Sequence, residues 1–125
     1  MQFMPNIDRW FLRIAVIYAV VGMALGIAMG ISEDHTQTPT HAHLNLVGWV
    51  SMALYALVYR QYPAAAESRF AIPHFWVANI GAVLLTVGIY TQMVPLPSLA
   101  FIVISGSLFT ILGMVMFAGI VYSKV

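Results

Sequence analysis

The sequence predicts an all-α membrane protein, a single domain of four transmembrane helices. Hydrophobic residues make up 62% of the 125 residues and charged residues only 7%, whereas a soluble domain has about 25% charged residues. Four apolar stretches reach the roughly 20 residues that a helix needs to cross a bilayer. They run approximately over residues 10–31, 39–59, 72–93 and 96–122.

The first predicted helix combines a long apolar segment with regularly spaced glycines. Its apolar part is too long for a cleavable signal peptide, and no small-residue cleavage site follows it. Gly22, Gly26 and Gly30 form two overlapping GxxxG patterns. Such patterns allow close approach of helix backbones in membranes, so we expect tight packing within the bundle or between chains.

The second predicted helix has an ordinary start signal. Thr38 is predicted to be its N-cap, with Pro39 at the first helical position. Pro63 marks the end of the helix. This assignment puts His41 and His43 in about the first turn, close to the membrane interface.

Prolines also mark the starts of the last two predicted helices. Pro73 can open the third, and Pro95 or Pro97 the fourth. Small residues again indicate close packing of the fourth helix: Ser105, Gly106, Ser107, Gly113 and Gly119.

All five basic residues fall on one side of this arrangement. The first and third connections contain no Lys or Arg. The positive-inside rule therefore predicts that both termini are cytoplasmic, and that loop 32–38 and the entrance with His41 and His43 face outside. The basic residues are Arg9, Arg13, Arg60, Arg69 and Lys124.

The pair His41 and His43 is the most informative feature of the chain. Imidazoles at the mouth of a membrane helix are costly to place there. Because each residue turns a helix by about 100°, the two side chains point roughly 200° apart. They cannot easily share one metal ion, but each can serve a separate site. The pair is expected to bind haem iron or another metal; the alternative is two interfacial histidines bonded to the loop.

Two residues after the pair share its surroundings. Asn45 lies four positions after His41 on the same helix face, and Trp49 continues that face one turn deeper. The amide of Asn45 can orient an imidazole or contact a haem substituent, or it can form an interhelical hydrogen bond. Gly48 allows a flat group or a neighbouring helix to approach.

Two further histidines are weaker candidates. His35 lies beside Glu33 and Asp34 in the outer loop, where it is either solvated or contributes to a copper, zinc or haem site. His74 precedes Phe75 and Trp76, which predicts a surface histidine in an aromatic belt. A helix of about 30 Å separates His74 from the pair in one chain.

The remaining composition excludes several function classes. Cysteine is absent from the sequence, which excludes disulfides, iron–sulfur clusters and thiolate-ligated haem for this chain. Every acidic residue lies near a predicted interface, so a carboxylate-based proton pump confined to this chain is not expected. A net charge of +1 gives no sign of nucleic-acid binding.

The run HAHLNLVGWVSMALYALVYRQYP, followed after a short linker by IPHFWVANIGAVLLTVGIY, resembles subunit I of the haem-copper oxidases. It is most similar to the tenth and eleventh helices of cbb-type oxidases and nitric oxide reductases. The order HxH, GW, P and HFW carries the resemblance, which covers about 50 of the 125 residues. It implies that His41 binds a high-spin haem and that His43 binds a low-spin haem.

The chain also departs from that family. Subunit I has about twelve helices, whereas four are predicted here, and its copper- or iron-binding histidines and second low-spin haem ligand have no counterpart. The twelve-helix fold resembles three four-helix arcs. A homo-oligomer, dimer or trimer, could therefore rebuild such an assembly with a haem shared between chains.

These observations predict a multi-pass protein of a bacterial or archaeal inner membrane that binds haem b, with one or two haems per chain or shared between chains. Copper is a further candidate cofactor. The protein would transfer electrons, or bind O2 or NO at a five-coordinate haem, with a donor protein or quinol as redox partner. Enzymatic reduction of either gas would need further metal ligands, for which His35 is the only candidate. The alternatives are a non-enzymatic small subunit or assembly factor of a respiratory oxidase, and a copper- or zinc-binding membrane protein.

Overall fold

A computed structural model describes residues 6–94 and 99–125, which form an up-and-down bundle of four long helices. Helix α1 spans Ile7–Ser32, α2 Thr38–Gln61, α3 Ala71–Gln92 and α4 Ala100–Lys124. All four are long and apolar enough to cross a membrane. The prediction of an all-helical chain with four helices long and apolar enough to cross a membrane is thereby confirmed, and a single helical turn, Pro63–Ala66, precedes α3.

The helix boundaries differ from the predicted ones by a few residues. Helix α1 begins earlier than expected, after Asn6 in a left-handed conformation (φ 71°), and ends at Glu33, which is also left-handed (φ 58°). Thr38 is the first residue of α2 rather than its N-cap, which is Gln37. Its hydroxyl donates to the carbonyl of His35 instead. Pro95 and Pro97, proposed as starts of the fourth helix, lie outside the described residues.

Helix α2 is not a uniform α-helix. It is α-helical over Thr38–His43 and Ser51–Gln61, with a π-helical segment, Leu44–Val50, between them. The wider π turn shifts the helix register, and such segments occur frequently at functional sites. Here the segment begins directly after His43.

Helices α3 and α4 pack closely through their glycines. A methyl group built on Gly106 would collide with the backbone of Leu85, and one on Gly81 would lie 2.6 Å from the backbone nitrogen of Thr110. Gly113 faces Ala78 in the same way. The close packing predicted for Gly106 and Gly113 is confirmed, whereas Gly119 has nothing within 4 Å of such a methyl group.

An aromatic cluster joins the four helices at one end of the bundle. Phe11 of α1 stacks on Tyr59 of α2 at a ring distance of 5.5 Å, and His74 of α3 stacks on Phe117 of α4 at 5.4 Å. Asp8 and Arg60 form an ion pair of 3.2 Å at the same end. The beginnings of α1 and α3 and the ends of α2 and α4 therefore meet there, and all five basic residues belong to this end, which we call the basic end. That it faces the cytoplasm stays a prediction.

Candidate functional site

His41 lies at the opposite end of the bundle, where α2 packs against the glycine face of α1. Its Nδ1 is 2.9 Å from the carbonyl oxygen of Gly22. Its ring covers Gly26, since a methyl group there would lie 2.8 Å from Cε1. Gly26 of the first GxxxG pattern is thus covered by a histidine side chain from the neighbouring helix.

The carbonyl contact determines the tautomer of His41. A carbonyl oxygen can only accept a hydrogen bond, so Nδ1 must carry the proton and donate. The proton is then absent from Nε2 of the neutral ring, whose lone pair is available to a metal. This is the arrangement in which metal-binding histidines are usually held, with the other ring N–H bonded to a carbonyl or carboxylate.

His43 has the same kind of partner from a different source. Its Nδ1 donates to the carbonyl oxygen of Pro39, one turn earlier in α2, at 2.8 Å. The reasoning that applies to His41 therefore leaves the lone pair of the neutral His43 ring on Nε2 as well. His41 is held by α1 and His43 by its own helix, so the two rings have separate surroundings.

Asn45 lies directly beneath His41, as the spacing of four predicts. Its Nδ2 donates to the His41 carbonyl oxygen at 2.8 Å and lies 3.4 Å from Nδ1 of the ring. The side chain rests on Gly22, where a methyl group would be 2.6 Å from Nδ2. Asn45 therefore buttresses His41 through a bond within α2, and its contact with α1 is one of packing.

Gly48 and Trp49 both lie in the π-helical segment Leu44–Val50. Gly48 is buried against the ring of Tyr18 on α1, where a methyl group would lie 2.7 Å from Cγ. The group that approaches Gly48 in this chain is thus a neighbouring helix. Trp49 is partly buried and packs against the apolar core. At the end of the segment, Ser51 Oγ donates to the carbonyl of Leu46 at 2.8 Å.

His35 is exposed in the loop between α1 and α2, with its carbonyl accepting from Thr38. The neighbouring Asp34 accepts hydrogen bonds from the hydroxyl and backbone N–H of Thr36, which hold the pKa of Asp34 below its usual value. Within residues 6–94 and 99–125, no group of three or more His, Asp or Glu side chains is placed to hold a metal ion. Copper or zinc at His35 would thus need ligands from elsewhere.

His74 occupies a different environment from the predicted one. It is 0% exposed, so the expectation of a surface histidine in an aromatic belt is wrong. Its Nδ1 is 2.8 Å from the hydroxyl of Tyr59, and its buried Nε2 has no hydrogen-bond partner among the described residues. The aromatic rings around it come from the three other helices, which is why sequence position alone did not reveal the burial.

The tertiary structure thus brings Gly22 and Gly26 to His41, and it brings Tyr59 to His74. None of these three partners was identified from the sequence, although the GxxxG pattern did indicate that another helix approaches α1 closely.

Comparison with protein-family models, with curated proteins and with solved structures found no match to this chain. The resemblance to haem-copper oxidase subunit I stays a hypothesis based on its motifs.

Proposed function

We propose that this chain is a membrane-bound b-type haem protein in which His41 and His43 are axial ligands of haem iron. The single observation that carries the proposal is the hydrogen bonding of the two rings. Both Nδ1 atoms donate to backbone carbonyls, those of Gly22 and Pro39. Both Nε2 atoms are thereby prepared as ligands on one short stretch of helix.

The surroundings of the pair support the same function. The lone pair of a neutral imidazole suits iron, copper and zinc alike, but a closed site for a bare ion needs several protein ligands. No such group is found within the described part of the chain. Haem supplies four nitrogen ligands of its own, so a single histidine from the protein suffices for binding.

The second axial position of each haem determines what the protein can do. Two histidines on one iron suit electron transfer, whereas an open position permits O2 or NO to bind. His74 is buried at the basic end, so a second histidine for either iron comes from His35 or from another copy. We propose a homo-oligomer, dimer or trimer, with haem between copies, acting in electron transfer or gas binding with a donor protein or quinol.

Two features favour contacts with further chains. Gly30 of α1 and Gly119 of α4 are the described glycines with nothing within 4 Å of an added methyl group, and small residues mediate helix packing in membranes. The same glycine faces would also suit a small oxidase subunit that lacks haem.

A bacterial or archaeal inner membrane is the location that the family resemblance implies.

The test is an absorption spectrum of protein purified from cells supplied with haem. We expect a Soret band and reduced-state haem bands that are lost in His41→Ala and in His43→Ala. His35→Ala identifies the source of the second ligand, since its side chain is exposed in the loop: the bands should shift if His35 completes a coordination sphere and stay unchanged if another copy does. A shift on addition of carbon monoxide would indicate an open coordination position; its absence would favour two protein ligands.

Other outcomes would overturn the proposal. A colourless preparation of folded protein would leave the role of a non-enzymatic subunit or assembly factor. Copper or zinc without haem, lost in His35→Ala, would identify a metal-binding membrane protein instead. Native mass measurement that finds haem bound to a monomer only would remove the shared haem from the proposal.

A further inference from the structure

A groove of about 710 Å³ runs along the surface of the bundle between α1 and α3. Its lining is almost entirely apolar, and many of its side chains are open to the surroundings; Trp76, for example, is 56% exposed. Its lining includes Trp10, Arg13, Tyr18, Trp76, Asn79 and Val83.

The groove is about as long as one leaflet of a membrane is thick. On α3 its lining extends from Phe75 to Leu84, and at 1.5 Å per residue these nine steps span about 13.5 Å. Half of a hydrocarbon core is about 15 Å. Because Trp76 lies near the start of α3, the groove begins at the basic end and stops near the middle of the bilayer. A transmembrane helix of a second copy would need a groove about twice as long.

The positively charged side chain of Arg13 lies at the mouth of the groove, at the basic end of the bundle. The guanidinium of Arg13 lies over the ring of Trp10, 5.5 Å from its centroid. Because Trp10 is nearer than Arg13 to the start of α1, this contact places the guanidinium group toward the membrane interface. Within the described residues, the one ion pair joins Asp8 to Arg60, so no carboxylate there neutralises Arg13. Trp10 and Trp76 beside it are residues favoured at headgroup level.

The polar groups deeper in the groove bond to protein partners. Tyr18 donates its hydroxyl proton to Asn79 Oδ1 at 2.9 Å, and Asn79 Nδ2 donates to the carbonyl of Phe75 at 2.8 Å. The deep part is therefore suited to a hydrocarbon chain and the mouth to an anion.

We propose that this groove binds an anionic phospholipid from the leaflet at the basic end. One acyl chain lies along the groove as far as Val83, and the phosphate pairs with Arg13, whose guanidinium matches phosphate geometry. An anionic headgroup is favoured over a zwitterionic one because the latter brings its own cation next to Arg13. Basic pockets between transmembrane helices are known to bind lipid headgroups in this way. The proposal does not depend on haem.

The test is native mass spectrometry of the whole chain released from equal mixtures of phosphatidylglycerol and phosphatidylcholine. We expect phosphatidylglycerol to be retained preferentially, and Arg13→Gln to weaken its retention about five- to tenfold. Arg9→Gln is the matched control, because Arg9 is an exposed cation on the same helix that does not line the groove. It should behave as the unmodified protein.

A second variant tests the acyl chain without changing charge. Val83→Trp fills the deep part of the groove and should reduce phosphatidylglycerol retention, whereas Val20→Trp, at a position on α1 that is 67% exposed outside the groove, should not. Equal retention by all variants would mean ordinary annular lipid and would overturn the proposal. Equal retention of both lipids, a co-purified quinone lost in Val83→Trp, or crosslinking of two copies through the groove would overturn it too.

Discussion

His41 of the second helix and Gly22 of the first are joined by a hydrogen bond of 2.9 Å between the ring Nδ1 and the carbonyl oxygen. A carbonyl oxygen has two lone pairs, so that of Gly22 can accept from His41 while it remains in the helix ladder. The bond favours one tautomer of the neutral ring and connects two spans near the end remote from the basic residues.

Enlarging Gly26 should release this bond. In Gly26→Val, the new side chain meets His41 at 2.8 Å from Cε1, so the imidazole must move off α1. We expect the ¹⁵N NMR signals of His41 to change from a fixed Nδ1–H tautomer to a mixture, and any haem absorption to fall with them. Ala28→Val is the control, because Ala28 is exposed on the same helix. Equal spectra for Gly26→Val and the unmodified protein would contradict the assignment.

Enlarging Gly106 should separate the last two helices. A methyl group there collides with the backbone of Leu85 on α3, and backbone cannot move aside as a flexible side chain can. Overpacking of this kind costs about 1–3 kcal/mol, so the free energy of unfolding of Gly106→Ala in detergent should fall by that amount. Gly119→Ala, which meets nothing within 4 Å, should change it little. A loss of the same size in both variants would refute the packing explanation.

Removing the Tyr59 hydroxyl should destabilise the aromatic cluster through His74. In Tyr59→Phe the ring of His74, whose Nε2 already lacks a partner within residues 6–94 and 99–125, is left with two nitrogens that have no partner there. Leaving a buried polar group unpaired costs about 1–3 kcal/mol. The measurement is the free energy of unfolding, with Tyr62→Phe as control because Tyr62 is 41% exposed.

The double variant Tyr59→Phe, His74→Phe tests the cause of that loss. Replacing both partners of a buried hydrogen bond by apolar groups can be nearly neutral, so the second change should recover part of the stability. Additive losses in the double variant would show that the hydrogen bond is not the reason.

Asp34 should titrate below an ordinary aspartate. The Thr36 hydroxyl, and then the Thr36 N–H, favour its charged form and lower its pKa. A carboxyl whose native pKa is below the unfolded value stabilises the loop above the unfolded pKa, and this contribution is lost as the pH falls through the native pKa. In a ¹³C NMR titration, Thr36→Ala should raise the pKa of Asp34 toward its usual value. Thr38→Ala should not, because the Thr38 hydroxyl bonds to a carbonyl.

The sequence alone determined the number, type and approximate limits of the helices. A bilayer requires about 20 apolar residues for each span. Because the hydropathy of a segment depends only on residues that are consecutive in sequence, the four apolar segments can be recognised without the tertiary structure. The contact between His41 and Asn45 could be predicted for the same reason, since a helix brings residues four apart together. The predicted start of α2 was wrong at Thr38, because the identity of a cap depends on local hydrogen bonding.

Only the tertiary structure decided what surrounds the histidines. Gly22 lies 19 positions from His41, and Tyr59 and His74 belong to different helices; such contacts depend on how helices pack. The π-helical turn after His43 likewise departs from the regular helix that periodicity assumes. Sequence therefore identified His41 and His43 as costly residues at the end of a span, whereas helix packing determined which nitrogen of His41 is held by α1 and which keeps its lone pair.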